Sequence, residues 1–290
     1  MINANSSPRR VALETTLLVH GVPKESARPL AAELESIVRA EGAEPATVGV
    51  VGGRPVVGMS HAELEVLLEA AEVPKANSSN LGLFMHRGMH AATTVSATME
   101  LAAAAGVRVF ATGGLGGVHK GYGQHWDVSA DLLALTRFPV AVVASGVKNL
   151  LDVASTREML ETLGVPVVGF GTDRFPAFYL RDGGTGVDAR FDDAGSLASF
   201  LDSELDRTGR GVLVCRPIDQ ADELDSAEWH RWLGEAEAKA LDAGKVGREV
   251  TPAVLSNLHA VSGGATLRAN LSLVKGNARL GGMLASRMRV

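Results

Sequence analysis

Short aliphatic and β-branched runs alternate along this chain with segments whose apolar positions recur every three or four residues. The runs predict strands over 10–13, 47–51, 107–111, 140–145, 165–170 and 211–215. Between them, Leu30, Leu34, Ile37 and Val38 share one helical face, and Gly42 ends that helix. Ser60 and Glu63 have capping-box spacing ahead of Leu64, Leu67 and Leu68. Ser155 and Glu158 predict a second box before the Leu163-Gly164 stop. Thr251-Pro252 reads as an N-cap followed by proline at the first helical position. Gly183-Gly-Thr-Gly186 reads as a loop or hairpin.

Strand–helix alternation predicts an α/β protein, a layered α/β/α fold with a mixed, largely parallel sheet. No repeat, low-complexity tract or linker divides the 290 residues. They read as a single α/β domain, with the helical segment from about 250 to 290 packing back on the site. In such folds ligands gather at the carboxyl ends of strands. Glu14, the glycines after Ala111, and Lys148 all follow predicted strands, so the pattern points to one shared site.

Composition narrows the function. Hydrophobic residues are 46% of the chain and aromatics only 4%, so the core is built from Ala, Val and Leu. A net charge of -5 argues against a nucleic-acid or membrane-surface binder. Cys215 is the single cysteine, so no intrachain disulfide forms, and its place after Gly-Val-Leu-Val reads as buried strand. The N-terminal residues lack an apolar signal core, and no run reaches the roughly 18 apolar residues of a spanning helix. The expectation is a soluble cytoplasmic protein.

The densest chemistry is Phe110-Ala-Thr-Gly-Gly-Leu-Gly-Gly-Val-His-Lys-Gly121, followed by Asp127-Val-Ser-Ala-Asp131. Four glycines in five positions let a ligand approach the backbone and meet several N–H groups. Lys148, inside Val-Ala-Ser-Gly-Val-Lys-Asn-Leu-Leu, is either a snorkelling or salt-bridged lysine or a nucleophilic amine in an apolar setting. Glu14, just past Val11-Ala-Leu13, is a solvated strand end or a general acid–base. Asp127 and Asp131 share one face if a helix begins near Ser129; the helix dipole or a divalent cation would offset their repulsion. His119 caps a turn or joins the site. Lys75 reads locally as a surface lysine, Asn270 as a helix-surface amide or a base-pairing group, and His125 as a loop residue.

Ala12-Leu-Glu-Thr-Thr16, His20-Gly-Val-Pro23, Glu44-Pro-Ala-Thr47, Thr93-Thr-Val95, the glycine run, Ser129-Ala-Asp131, Ser145-Gly-Val-Lys148 and Leu160-Glu-Thr-Leu-Gly164 keep one order from about residue 10 to about 280. In these motifs the chain resembles the pseudouridine-5'-phosphate glycosidases, which include the indigoidine-cluster A-type proteins. The resemblance implies that Lys148 attacks the anomeric carbon of a phosphosugar and forms an imine, with Glu14 as proton donor and acceptor. It implies substrate contacts at Lys75, Val95 (through backbone), Thr112, His119, Ser129, Ala130, Asp131 and Asn270. It implies Mn2+ (or Mg2+) held by Asp127 mostly through water, and a homotrimer. The partners implied are a phosphosugar and a planar aglycone.

Departures from the family pattern fall on the expected pocket rim. Asn77-Ser-Ser-Asn80 stands where Ser-x-Arg-Asp is usual, and Lys120 replaces an arginine. Tyr122-Gly-Gln-His-Trp126 is unusual, and Val214-Cys-Arg-Pro-Ile218 replaces Ala-Asn-Pro-[Ile/Val]-Pro. Two aglycones therefore stay open: uracil, as in pseudouridine 5'-phosphate, and an aromatic polyketide, as in alnumycin-type C-ribosylation. Two rival classes also stand, a nicotinamide-dependent dehydrogenase and a non-catalytic phosphosugar-binding protein. The first lacks a fitting Gly-x-Gly-x-x-Gly with its later acid. The second has no need of Glu14 and Lys148 at strand ends.

Overall fold

The computed structural model describes residues 9–123, 126–244 and 250–289. Ten strands form one sheet: β1 (Arg10–Glu14), β2 (Glu44–Val51), β3 (Arg54–Val57), β4 (Lys75–Ala76), β5 (Ala91–Thr93), β6 (Val109–Ala111), β7 (Ala141–Ala144), β8 (Val167–Phe170), β9 (Ala189–Phe191) and β10 (Val212–Cys215). Their spatial order is β4-β5-β2-β1-β6-β7-β10-β8-β9, with β3 paired to β2. Only the β2–β3 and β2–β5 pairs are antiparallel, so the sheet is mixed and largely parallel, as the alternation predicts.

The central strands alternate between two apolar layers, the pattern of a sheet covered on both faces. Val11, Leu13, Val109, Val143 and Val214 face one core. On that side lie α2 (Lys24–Ala40), α8 (Ala194–Thr208) and α11 (Ala265–Ala285). Ala12, Phe110, Val142, Leu213 and Cys215 face the other, with α5 (Val95–Ala104), α6 (Ala130–Leu135) and α7 (Val153–Thr162). Cys215 is fully buried, and burial pushes its thiol far up, so it is an inert core residue. No helix among the described residues is long and apolar enough to cross a membrane.

Helix starts follow local chemistry, with one correction. Ser60 and Glu63 form the reciprocal capping box of α3 (His61–Glu69). Ser155 does not cap α7. Asp152 does, its carboxylate accepting from the Ser155 N–H at 2.9 Å. The aspartate lies three residues upstream and offers a stronger, charged acceptor. α10 (Val250–Val261) already includes Thr251 and Pro252, whose side chains lie outside the described residues. The 171–188 excursion folds back on itself, Phe175 N–H donating to Thr185 O at 2.9 Å, so the glycines at 183–186 close a hairpin-like turn.

Candidate active site

Strand register decides which side chains meet. Leu13 of β1 is level with Ala111 of β6, and Ala111 with Val143 of β7. One residue further on, the Thr112 hydroxyl donates to Glu14 Oε1. Lys75 arrives by another route. β5 runs antiparallel to β2 and β4 parallel to β5, so β4 starts at the edge where β1 and β6 end. Buried hydroxyls lock this corner. Thr15 Oγ1 donates to Val48 O at 2.9 Å and accepts from Thr93 N–H at 3.0 Å, and Thr93 Oγ1 donates to Val48 O at 2.7 Å.

The glycine run is zipped to the lysine loop. Leu115 N–H donates to Gly146 O at 2.9 Å, and Lys148 N–H donates to Leu115 O at 3.1 Å. Asn277, fully buried on α11, donates from Nδ2 to Thr112 O at 2.8 Å and to Ser145 Oγ at 3.1 Å. One carboxamide thus holds the ends of β6 and β7 together. Asn277→Ala is expected to cost about 2 kcal/mol, because the acceptors it serves are buried and would be left unpaired. A urea unfolding midpoint equal to that of the wild type would remove Asn277 from this role.

Glu14, Lys75, Thr112, Lys148 and Asn270 line one cavity of about 110 Å³. Burial pushes the Glu14 carboxyl above its ordinary range. The Lys148 ammonium and the Thr112 hydroxyl oppose that push, and Asp131 adds to it. Burial also lowers the Lys75 ammonium; Lys148 lowers it further and Glu14 acts against both. Glu14 and the two lysines therefore sense one another's charge across this cavity, with Glu14 and Lys148 half-buried and Lys75 exposed.

The glycine run spends more of its N–H groups on the fold than expected. Gly116 N–H donates to Asp131 Oδ2 at 3.0 Å, Val118 N–H to Thr156 Oγ1 at 2.9 Å and His119 N–H to Asp127 O at 3.0 Å. The N–H groups of Gly113, Gly114 and Gly117 find no partner among the described residues, and of these Gly113 and Gly114 line the cavity. A side chain at Gly114 would place its Cβ 2.8 Å from Phe178 Cε2. Phe178 itself has φ 56°, a left-handed conformation that costs a phenylalanine about 1–2 kcal/mol. Its N–H donates to Ser145 O at 2.8 Å, which holds it there.

The remaining expected residues lie beside the cavity rather than on its lining. Asp131 is buried and spans two elements, Oδ1 accepting from Ser96 N–H at 3.0 Å and Oδ2 from Gly116. Ser129 caps α6 and Ala130 opens it, while Val95 opens α5 and is buried. Asp127 does not share a helical face with Asp131. It precedes the helix, is 67% exposed, and stands 3.7 Å from His119 Nδ1. The N–H groups of Ser96 and Gly116 offset part of the Asp131 charge. His125 lies outside the described residues. Lys120 pairs with Glu237 at 3.5 Å and is not among the lining residues, and Asn77 and Asn80, the ends of the Asn77-Ser-Ser-Asn80 stretch, cap each other's turn.

Part of the cavity lining is absent from the motif reading. Phe178, Tyr179, Trp229 and His259 also line it, beside His20 of the His20-Gly-Val-Pro23 motif. Phe178 and Tyr179 ring centroids are 4.6 Å apart, and Tyr179 meets Trp229 edge-on at 5.3 Å. With aromatics so scarce in this chain, three in one wall mark a surface for a flat, apolar ligand face. Asn270 adds a polar edge: it is 7% exposed, and its Oδ1 is buried with no hydrogen-bond partner. A buried amide oxygen left this way is suited to a ligand donor.

The chain is similar to known proteins over nearly its whole length. Residues 3–287 match the family model described as Indigoidine synthase A like protein. A Nocardioides protein named pseudouridine-5'-phosphate glycosidase is 45% identical over 276 residues, covering 95% of this chain and 90% of its own length. A Methylobacterium nodulans protein of the same name is 46% identical over 281 residues, covering 96% and 83%. Among solved structures, the prealnumycin C-glycosynthase AlnA in complex with ribulose 5-phosphate superposes with a TM-score of 0.90 at 34% identity, covering 99% of this chain and 97% of that one. An indigoidine synthase A-like protein from Thermotoga maritima gives the same score at 35% identity, covering 99% and 96%. The fold, the cavity and these matches together place the chain in the Indigoidine synthase A like protein family.

Proposed function

We propose that this protein makes or breaks the carbon–carbon bond between ribose 5-phosphate and a planar aglycone, with pseudouridine 5'-phosphate as the substrate. The observation that carries this reading is the pairing of Glu14 and Lys148 in one cavity beside the free N–H groups of Gly113 and Gly114. A ring carbon is a poor leaving group, so the two-carboxylate chemistry of ordinary glycosidases does not suffice. An amine opens another route. Glu14 gives its proton to the ring oxygen as the ribose opens. Lys148 Nζ adds to the anomeric carbon. Its lone pair then forms the C=N bond as the C–C bond breaks, and the aglycone carbon takes a proton. Water releases open-chain ribose 5-phosphate. Every step is reversible.

Lys75 is the second cation of the cavity and suits the phosphate. Asn270 suits the edge of the base. His119, Ser129, Ala130, Asp131 and the backbone of Val95 are proposed to complete the phosphosugar side, which lies along the glycine run. Among the described residues no three His, Cys, Asp or Glu side chains converge as metal ligands. One exposed carboxylate, Asp127, instead fits a largely hydrated Mn2+ or Mg2+. Such an ion would offset phosphosugar charge. Assembly as a homotrimer, on the strength of the resemblance, and a cytoplasmic place without nucleic-acid or membrane partners, on the net charge of -5 and the single cysteine, complete the proposal.

A second reading is C-ribosylation of an aromatic acceptor. The presence of Phe178, Tyr179 and Trp229 in the lining favours it, because an aromatic acceptor packs well against aromatic side chains. Incubation with Mn2+ and pseudouridine 5'-phosphate should release uracil in step with ribose 5-phosphate, and EDTA should suppress the release. Binding of ribose 5-phosphate without any uracil release would favour the second reading. Absence of both would leave neither standing.

A further inference from the structure

His259 enters the cavity from α10 with a defined set of partners. Its Nδ1 lies 3.1 Å from Thr266 Oγ1. Thr266 Oγ1 lies 3.0 Å from Ser262 Oγ. Ser262 Oγ also meets the His259 carbonyl at 3.4 Å and the Thr266 N–H at 3.4 Å. Thr266 is fully buried and Ser262 nearly so, so no solvent competes for these hydroxyls.

Proton counting selects one tautomer. Each hydroxyl has one hydrogen. If Ser262 donates to the His259 carbonyl, Thr266 must donate to Ser262, and Thr266 Oγ1 then accepts from His259 Nδ1–H. All four contacts are satisfied. If Thr266 instead donates to Nδ1, Ser262 must choose between Thr266 and the carbonyl, and one contact is lost. The ring is thereby held with a proton on Nδ1 and a bare lone pair on Nε2. Because Nδ1 is occupied, Nε2 is the polar atom this ring offers to the cavity that it lines together with Trp229 and Tyr179. Burial lowers the imidazole below its ordinary value, which keeps that lone pair free at neutral pH.

We propose that His259 Nε2 is the base that takes the aglycone's N–H or O–H proton as its ring carbon bonds to the imine carbon on Lys148. This rests on the imine reading above. The acceptor class is a planar ring whose N–H or O–H is conjugated to a nucleophilic carbon, such as a lactam or a phenol. His259 removes that proton, and the electron pair passes through the ring to its carbon. The carbon attacks C1 of the imine, and the C=N π pair returns to the Lys148 nitrogen. The ring carbon then releases its own hydrogen to water as a proton, and the imidazolium returns its proton to the ring heteroatom. Two-electron steps suffice, and no redox partner enters.

The test compares wild type, His259→Ala and His259→Gln in coupling ribose 5-phosphate to uracil and to 1-naphthol. Borohydride trapping of ribose 5-phosphate on Lys148, which needs no aglycone, is run in parallel. Both variants should trap as wild type does yet couple about 100-fold more slowly, on the scale of a lost general base. Added imidazole should restore part of the rate to His259→Ala alone. Coupling within threefold of wild type in either variant overturns the proposal, as does loss of trapping in proportion to coupling. If wild type traps the sugar but couples neither acceptor, the acceptor class is wrong. If wild type traps nothing, the imine reading itself fails.

Discussion

Lys148→Ala is expected to leave a folded protein that neither releases nor attaches an aglycone, a loss of ~10⁴-fold or more, as for removal of a covalent nucleophile. Lys148 is half-buried and forms no ion pair with a described residue, and its backbone bond to Leu115 does not depend on the side chain. The fold should therefore survive. Borohydride with ribose 5-phosphate should add the mass of the reduced sugar to wild type at Lys148. Reduced adduct on Lys75 instead would reassign the nucleophile, because Lys75 lines the same cavity and burial also lowers its ammonium. Residual turnover near the wild-type rate would remove the imine route.

Glu14→Gln should lower turnover by about 10²–10⁴-fold, the range for general acid–base catalysis, while leaving sugar binding in place. It should also stabilise the protein at neutral pH. Burial raises the Glu14 pKa in the folded state above its ordinary 4.5. Between the ordinary and the raised value the folded protein holds a proton that the unfolded chain has lost. Stability therefore falls as pH rises through that window, and the penalty persists above it. Glutamine carries no such charge. Its melting temperature should exceed that of wild type at pH 7, and the difference should vanish below pH 4.5. Equal melting temperatures at both pH values would mean that Glu14 is better solvated than its place beside Thr112 and Lys148 implies. A residue that costs stability while enabling the reaction is the expected signature of a functional acid.

The two predictions rest on features that differ in how readily the chain discloses them. Glu14, Thr112 and Lys148 are each visible as polar residues ending an aliphatic run. In a parallel sheet the ends of such runs share one edge, so their meeting follows from the α/β class. Lys75 is another matter. Its strand has two residues and pairs in parallel with a three-residue strand that itself runs antiparallel to β2, and both are too short to carry any periodicity. The α7 cap shows a similar limit. Asp152 and Ser155 both have capping side chains, and only the path of the chain decides which meets a free N–H. Asn277 looks like any helix-surface amide, yet it holds two strand ends from more than 130 residues away. The aromatic wall gathers Phe178 and Tyr179 from an irregular excursion and Trp229 from α9 (Ser226–Asp242), with no shared motif.

From residues alone come the α/β class, the sheet's largely parallel character, the acid and the amine, because hydrophobic period and strand-end placement are local properties. Tertiary structure decided which N–H groups stay free, how Lys75 reaches Glu14, and what faces the aglycone. Those depend on register and on long-range packing, which bring together positions that no short stretch of chain relates.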